Sequence, residues 1–150
     1  MADLYLSHEF YLSALALLCF YISVTDFLYR KIGNYALVVL VVLNVFLSPL
    51  SIHATSFLLV LCGGLILYAL IPIGAGDIKY AAALSLVIPL SDLSSAYILT
   101  ALAGGILSLI YLIFKILFKD KPSSKEGIPY GIAISIGFYL IVLIQNKPDI

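Results

Sequence analysis

The 150-residue sequence is poor in charge, because only 11% of its residues are Asp, Glu, Lys or Arg whereas 63% are hydrophobic. With a mean hydropathy of +1.17, this composition excludes an ordinary soluble domain, since long uncharged stretches are typical of membrane proteins. The N-terminal segment MADLYLSHEF also lacks the basic start of a secretory signal. We therefore expect the first apolar segment to be retained as a helix.

Cysteine is scarce as well, with only Cys19 and Cys62, each inside an apolar stretch. Their spacing does not fit a metal site, so the expected role of both is packing. The apolar runs are continuous and do not alternate with polar residues. This pattern excludes the strands of a membrane β-barrel.

What the sequence does contain is six uncharged windows of nearly bilayer-spanning length. They are Phe10–Thr25, Tyr35–Ile52, Ser56–Ile73, Tyr80–Ser91, Leu93–Phe114 and Ile128–Asn146. These windows predict an all-α membrane protein of six transmembrane helices that forms one domain over residues 1–150. The loops between them are too short for a separate soluble domain.

The net charge is zero, but the basic residues are unevenly placed. If the first loop is cytoplasmic, seven of the eight basic residues lie on that side: Arg30, Lys31, Lys79, Lys115, Lys119, Lys121 and Lys125. The opposite side carries Lys147 alone. The positive-inside rule then places both termini on the non-cytoplasmic side.

Two aspartates lie at the edges of the apolar windows, Asp26 after the first and Asp77 between the third and fourth. The helix from Glu9 to Asp26 would be roughly 25 Å long, against a hydrocarbon core of about 30 Å. Both acids should therefore lie at the cytoplasmic boundary of the bilayer. A carboxylate at membrane depth is costly, so such groups usually have a function.

The residues before Asp77 predict the end of one helix and the start of the next. Pro72, Gly74 and Gly76 are poor helix-interior residues, so the third helix should end near Ile71. The two glycines can adopt backbone conformations closed to other residues and allow another chain to approach. Asp77 is then expected as the N-cap of the fourth helix, where the dipole favours its ionised form.

Two carboxyl groups close together cannot both ionise easily, so one holds a proton while the other can activate water against an amide. The dipole argument favours Asp77 as the base and Asp26 as the acid. Alternatively, Asp77 is only a helix cap and Asp26 only a partner of Arg30 one turn away. A further alternative to the peptidase is an ion or proton transporter that uses the same two acids.

Three segments resemble the type IV prepilin peptidases: TDFLYRKIGN (25–34), GAGDIK (74–79) and IPYGIAI (128–134). The resemblance implies an intramembrane aspartic endopeptidase with Asp26 and Asp77 as catalytic residues and with no metal or other cofactor. It implies prepilin-like precursors as substrates, cut on the cytoplasmic side of the inner (plasma) membrane to remove a short basic leader. No nucleic-acid partner is expected.

The same resemblance marks a set of supporting residues: Gly74, Gly76, Lys79, Asn34, Pro129, Tyr130 and Gly131. Lys79 could steady the charge of Asp77, although a lysine near a cytoplasmic helix end is also ordinary topology. Tyr130 and Gly131 line a substrate cleft or simply pack. Asn34 is expected as a helix N-cap more than as a substrate contact.

The sequence departs from the family pattern at Gly33, where the family commonly has proline, and we expect a looser loop there. It also lacks the insertion with paired Cys-x-x-Cys motifs that larger members carry. It therefore looks like the short form that serves Tad/Flp-type pilins, or like an archaeal-type relative, with peptidase activity alone. Presenilin-like proteases share only the second aspartate motif, and Thr25 stands where they have tyrosine.

Overall fold

The computed structural model describes residues 2–71, 74–118 and 128–145. These residues form six α-helices and no strand, which confirms the all-α prediction and its number of helices. The helices are α1 (Ala2–Tyr29), α2 (Asn34–Phe46), α3 (Ala54–Leu70), α4 (Ala75–Ser85), α5 (Leu90–Phe118) and α6 (Tyr130–Gln145). Four lysines used in the topology argument lie outside the described residues: Lys119, Lys121, Lys125 and Lys147.

The end of α3 lies where the sequence predicts it. The helix stops at Leu70, and the N–H of Ile71 closes it with a hydrogen bond to the carbonyl of Leu67. Pro72, one of the residues expected to end this helix, lies outside the described residues. The chain then enters α4 through Gly74.

The predicted N-cap at Asp77 is wrong, because α4 begins earlier. Gly74 is the N-cap, with the extended conformation φ −64° and ψ 121°. Its carbonyl accepts hydrogen bonds from the N–H groups of Asp77 at 3.1 Å and Ile78 at 3.4 Å. Asp77 is therefore the third residue of α4, still in the first turn and near the positive end of the helix dipole.

The predicted N-cap at Asn34 is wrong for the same reason. Gly33 caps α2 in an extended conformation, and its carbonyl accepts the N–H of Leu37 at 3.3 Å. Asn34 is the first residue of the helix, and its side chain is exposed.

The central helix of the bundle is α4, which packs against α2, α3 and α6. From Tyr80 to Ser85 every residue is buried, and the three alanines between them allow neighbouring helices to approach closely. The helix ends at Ser85, short of the predicted Ser91. Pro89 lies in the connection, where its missing N–H and its ring prevent a continuous helix, and α5 starts directly after it.

The last helix, α6, packs against α1, α4 and α5. At Gly137 an added Cβ would lie 2.8 Å from the Cα of Thr100, so only glycine permits the close contact with α5. The α1 helix packs on α6 and α2 and has few contacts with α4. The start of α6 therefore lies between the two helices that carry the aspartates.

Two helices in the described part of the chain are long and apolar enough to cross a membrane, over Ser7–Tyr29 and Leu90–Leu117. Three shorter helices are also apolar: Asn34–Phe46, Ala54–Leu70 and Tyr130–Gln145. The long α5 lies at the outside of the bundle, since only 6% of its most apolar window is buried.

Candidate active site

Asp26 lies near the C-terminal end of α1 and is only 6% exposed. Its Oδ2 atom accepts a hydrogen bond of 2.8 Å from the backbone N–H of Gly131, the second residue of α6. The first N–H groups of a helix have no partner within the helix and carry its positive partial charge. This contact therefore ties the side chain of Asp26 to the start of α6.

Asp77 lies at the start of α4, where it is half-buried. A Cβ placed on Gly74 would lie 2.8 Å from Asp77 Oδ2, and a Cβ on Gly131 would lie 2.8 Å from Asp26 Oδ2. Each carboxyl group thus occupies space that any other residue in place of the glycine would fill. Neither Gly74 nor Gly76 uses a backbone conformation closed to other residues, because no described glycine has a positive φ.

The two carboxyl groups are close enough to repel each other. Burial first, and the charge of Asp26 second, raise the pKa of Asp77 to about 6. Asp77 precedes the fourth apolar window, so it lies outside the segments that we assign to the bilayer. The raised pKa lets Asp77 carry a proton under conditions in which an ordinary aspartate would not.

A buried polar cluster lies about one helical turn from both acids. The hydroxyl of Ser135 is within 2.7 Å of the Tyr80 hydroxyl, 2.8 Å of the Ser23 hydroxyl and 2.7 Å of the Gly131 carbonyl. Because a serine hydroxyl has one proton, all three contacts are satisfied when Tyr80 and Ser23 donate to Ser135, which donates to Gly131. Ser135 therefore joins α1, α4 and α6 just beyond the two aspartates.

The structure brings five of the predicted site residues together: Asp26, Asp77, Gly74, Gly131 and Tyr130. The Tyr130 ring packs on Gly104 of α5 and lines the same cavity as Asp77.

The other predicted residues lie around this group or away from it. Pro129 is buried directly before α6. Gly76 allows the α1–α2 loop to approach, because its Cβ would lie 3.3 Å from that of Ile32. Lys79 and Asn34 have exposed side chains.

Sequence reasoning missed the cluster of Ser23, Tyr80 and Ser135. Each of these residues lies three or four positions from a predicted site residue, on the same face of its helix. A search for hydroxyl groups at that spacing inside the apolar windows would have found them. A second buried contact, in which Asn44 binds the Tyr11 hydroxyl and the Ala83 carbonyl at 2.9 Å each, was missed in the same way.

A helical bundle that carries two carboxyl groups at one end, one buried and one half-buried, has the groups needed for acid–base catalysis. Among the residues that the structure describes, no group of three or more His, Cys, Asp and Glu side chains could hold a metal ion.

Residues 13–113 match the type IV leader peptidase family, and because this match covers more than half of the sequence, the chain belongs to that family. This finding confirms the resemblance carried by the motifs. It makes the protein a peptidase of the leader-peptidase kind, from a membrane-associated family that processes prepilin-like substrates. The match includes both aspartates and ends before α6. No curated protein and no solved structure matches the chain.

Proposed function

We propose that the protein is a membrane-embedded aspartic endopeptidase that removes the short basic leader from prepilin-like precursors, with Asp26 and Asp77 as its catalytic residues. Family membership supports the leader-peptidase activity. The observation that supports the aspartic mechanism is that the start of α6 lies next to both carboxyl groups: the Gly131 N–H donates to Asp26, and Tyr130 lines the same cavity as Asp77. Such a pair shares one proton readily.

In the proposed reaction, a water molecule attacks the scissile carbonyl carbon while Asp26 takes one of its protons. Asp77 donates its proton to the carbonyl oxygen, which gives a neutral tetrahedral intermediate. When the C–N bond breaks, Asp26 returns its proton to the leaving amine, and Asp77 recovers a proton from one hydroxyl of the intermediate. Both acids then regain their starting states, and no covalent enzyme intermediate forms.

These roles are the reverse of those that the sequence favours. Asp26 already accepts a hydrogen bond from the Gly131 N–H at the start of α6, which suits it to the role of proton acceptor. Burial and the charge of Asp26 favour the protonated form of Asp77, whose pKa is raised to about 6.

We further propose that the helices cross the inner membrane, with both termini on the non-cytoplasmic side and the aspartates at the cytoplasmic boundary. The outer faces of the helices carry many exposed large apolar residues, far more than a soluble protein normally exposes. Arg30 and Lys31 follow Asp26 at the same end of α1, as the positive-inside rule requires of a cytoplasmic loop.

The test of the mechanism is cleavage of a purified prepilin-like substrate by Asp26→Asn and Asp77→Asn variants. Each should reduce kcat/KM by at least about 100-fold, the usual range for loss of a general acid or base. Asp92→Asn is the matched control, because Asp92 lies at the start of α5 and accepts a hydrogen bond from Gln145. It should cleave normally. Full activity of either dyad variant would remove that aspartate from the mechanism.

The transporter alternative is tested in proteoliposomes that contain the same variants. Ion or proton flux that is lost on Asp26→Asn, without any peptide cleavage by the unmodified protein, would replace the peptidase proposal. The topology is tested by cysteine labelling of intact cells, after Cys19 and Cys62 have been changed to alanine. Ser51→Cys should react with an impermeant reagent from outside, and Lys31→Cys only after permeabilisation.

A further inference from the structure

A groove of about 540 Å³ lies between α1 and α6, and neither aspartate lines it. On α1 it extends from Ala16 to Leu28, roughly 18 Å along the helix axis, and on α6 from Ile132 to Tyr139. Phe20 in its wall is exposed, so the groove opens to the outside of the bundle. Because a hydrocarbon core is about 30 Å thick, the groove is about as long as one leaflet of the bilayer.

The lining of this groove is almost entirely hydrocarbon. Ser23 and Ser135 belong to it, but their hydroxyls are already bonded to each other at 2.8 Å. At the end farthest from Leu28, the Tyr139 hydroxyl donates to the Leu12 carbonyl at 3.3 Å. A polar occupant would lose its water there without gaining enough partners, whereas an alkyl chain would bury apolar surface.

The groove is narrower than a helix. Spread over its length, its volume gives a mean cross-section of roughly 30 Å², whereas an α-helix of about 10–12 Å diameter occupies about 80–110 Å². A second copy of the chain or a transmembrane helix of a partner would therefore cover the groove without filling it. A single alkyl chain can lie inside along the whole length.

Two basic residues follow the end of the groove that Phe27 and Leu28 form. Arg30 is half-buried and Lys31 is exposed. Arg30 has a φ of 54°, in the left-handed region, and its N–H donates to the Asp26 carbonyl at 2.8 Å to close α1. This conformation is costly for a residue with a side chain, so the chain carries a guanidinium here at the expense of backbone energy. Basic residues directly beside an apolar surface at the cytoplasmic boundary are complementary to anionic lipid.

We propose that the groove between α1 and α6 binds one anionic phospholipid of the cytoplasmic leaflet, with an acyl chain along the groove and the phosphate at Arg30 and Lys31. The site rests on the membrane orientation given under the proposed function, but not on the peptidase activity. Because the lipid contacts both helices, it holds α1 against α6, and the contact between Asp26 and Gly131 depends on how these two helices pack.

Val24 is suited to test the groove, because it lines the middle of it and is 37% exposed. Val24→Trp should fill the space that the acyl chain needs. Val39→Trp on α2 is the matched control, since Val39 is 38% exposed and does not line the groove. Arg30→Gln and Lys31→Gln test the phosphate contact, and Lys115→Gln, in the last turn of α5, is their control.

The experiment adds phosphatidylglycerol or phosphatidylcholine, each with two oleoyl chains, to delipidated protein in detergent and measures bound lipid by native mass spectrometry. The unmodified protein, Val39→Trp and Lys115→Gln should each bind one phosphatidylglycerol with an apparent Kd at least about tenfold below that for phosphatidylcholine. Val24→Trp should lose this bound lipid. Arg30→Gln and Lys31→Gln should each reduce the preference about fivefold.

Thermal unfolding of the same samples shows that the variants are folded. Phosphatidylglycerol should raise the Tm of the unmodified protein and of Val39→Trp, but not that of Val24→Trp. Equal binding of the two lipids by the unmodified protein would overturn the site, and so would equal retention of lipid by the two tryptophan variants. A two-chain mass that Val24→Trp alone abolishes would show that a second copy occupies the groove, which also overturns the proposal.

A photoreactive phosphatidylglycerol locates the lipid directly. A diazirine at the end of an acyl chain should label peptides that contain Ala16 or Tyr139, and a diazirine near the ester should label those that contain Phe27 or Leu28. Labels confined to other helices would overturn the site. None of these measurements involves cleavage, so an inactive protein would overturn the proposed function and leave the lipid site standing.

Discussion

The carboxylate of Asp26 on α1 accepts a hydrogen bond from the backbone N–H of Gly131 on α6, with 2.8 Å between the two atoms. The contact joins residues 105 positions apart. The contact holds the carboxylate of Asp26 by a main-chain N–H of another helix. A main-chain N–H cannot rotate away as a side-chain donor could. The position of the Asp26 carboxylate is therefore set by how α6 packs on α1.

The first prediction concerns Gly131. An alanine there would place its Cβ 2.8 Å from Asp26 Oδ2 and 3.1 Å from Asp26 Cβ and Cγ, so the carboxylate must move. We expect Gly131→Ala to reduce kcat by about 100-fold, because a displacement of a catalytic group by about 1 Å has costs of that size. The measurement is cleavage of a prepilin substrate under saturating conditions.

The matched control is Gly105→Ala on α5, where an added Cβ meets no atom within 4 Å. It should cleave normally and unfold at a slightly higher temperature, since alanine is favoured over glycine in a helix by about 0.5–1 kcal/mol. If Gly131→Ala cleaves as well as Gly105→Ala, the close contact with Asp26 has no catalytic importance.

The second prediction concerns Ser135, which positions the active site without touching a substrate. Ser135→Ala removes the acceptor for the hydroxyls of Tyr80 and Ser23. Because both hydroxyls then lack this partner, the variant should lose about 1–3 kcal/mol of stability. We expect kcat to fall about tenfold with KM unchanged, because the loss loosens the three helices that hold the dyad. Ser135→Thr, which keeps the hydroxyl, should restore much of the rate.

Ser108→Ala is the control for this change, since the Ser108 hydroxyl donates to the Gly104 carbonyl of its own helix. It should change neither kcat nor KM. A purely structural role of Ser135 would instead lower the amount of folded enzyme and leave the kcat of the folded fraction unchanged. Active-site titration in the same preparation separates these two results.

The sequence was sufficient for the helices and for the peptidase family, because both follow from local patterns. Long uncharged windows predicted six helices, and the scarcity of acids within them made Asp26 and Asp77 stand out. The end of α3 followed from the helix-breaking residues after it. These features are set by hydropathy and by backbone preference, which a single chain reveals.

The caps and the polar contacts could not be predicted in the same way. An aspartate N-cap is worth only about 1 kcal/mol, so the packing of α4 could shift the start of the helix to Gly74. The contact between Asp26 and Gly131 depends on α6 lying between α1 and α4. Nothing in the periodicity of the windows specifies which helices are neighbours, because apolar side chains cover every face of them.

The third prediction concerns Gly33, the position where the family commonly has proline. Its φ of −69° is within the range that proline requires, and a Cβ there would meet nothing within 4 Å. The preceding Ile32 is not helical, as a residue before proline should be. We expect Gly33→Pro to stabilise the fold by about 0.4–1 kcal/mol by restricting the unfolded chain.

Thermal unfolding in detergent should show this as a rise of about 1–4 °C in Tm, with unchanged cleavage. Gly33→Ala is the comparison, because it restricts the unfolded chain less and should give a smaller rise. A lower Tm for the proline variant would mean that the N–H of Gly33 has a partner that the fold needs.

The fourth prediction concerns pH and decides the roles of the two acids. The pKa of Asp77 is raised to about 6 by burial and by the charge of Asp26, and the proposed mechanism requires Asp77 in its protonated form. As the pH rises through that value the protonated fraction falls, so kcat/KM should decrease by about tenfold per pH unit above it. Asp92→Asn should keep the same profile. If kcat/KM instead increases with pH between 5 and 7, Asp77 acts in its ionised form, and the roles of Asp26 and Asp77 are exchanged.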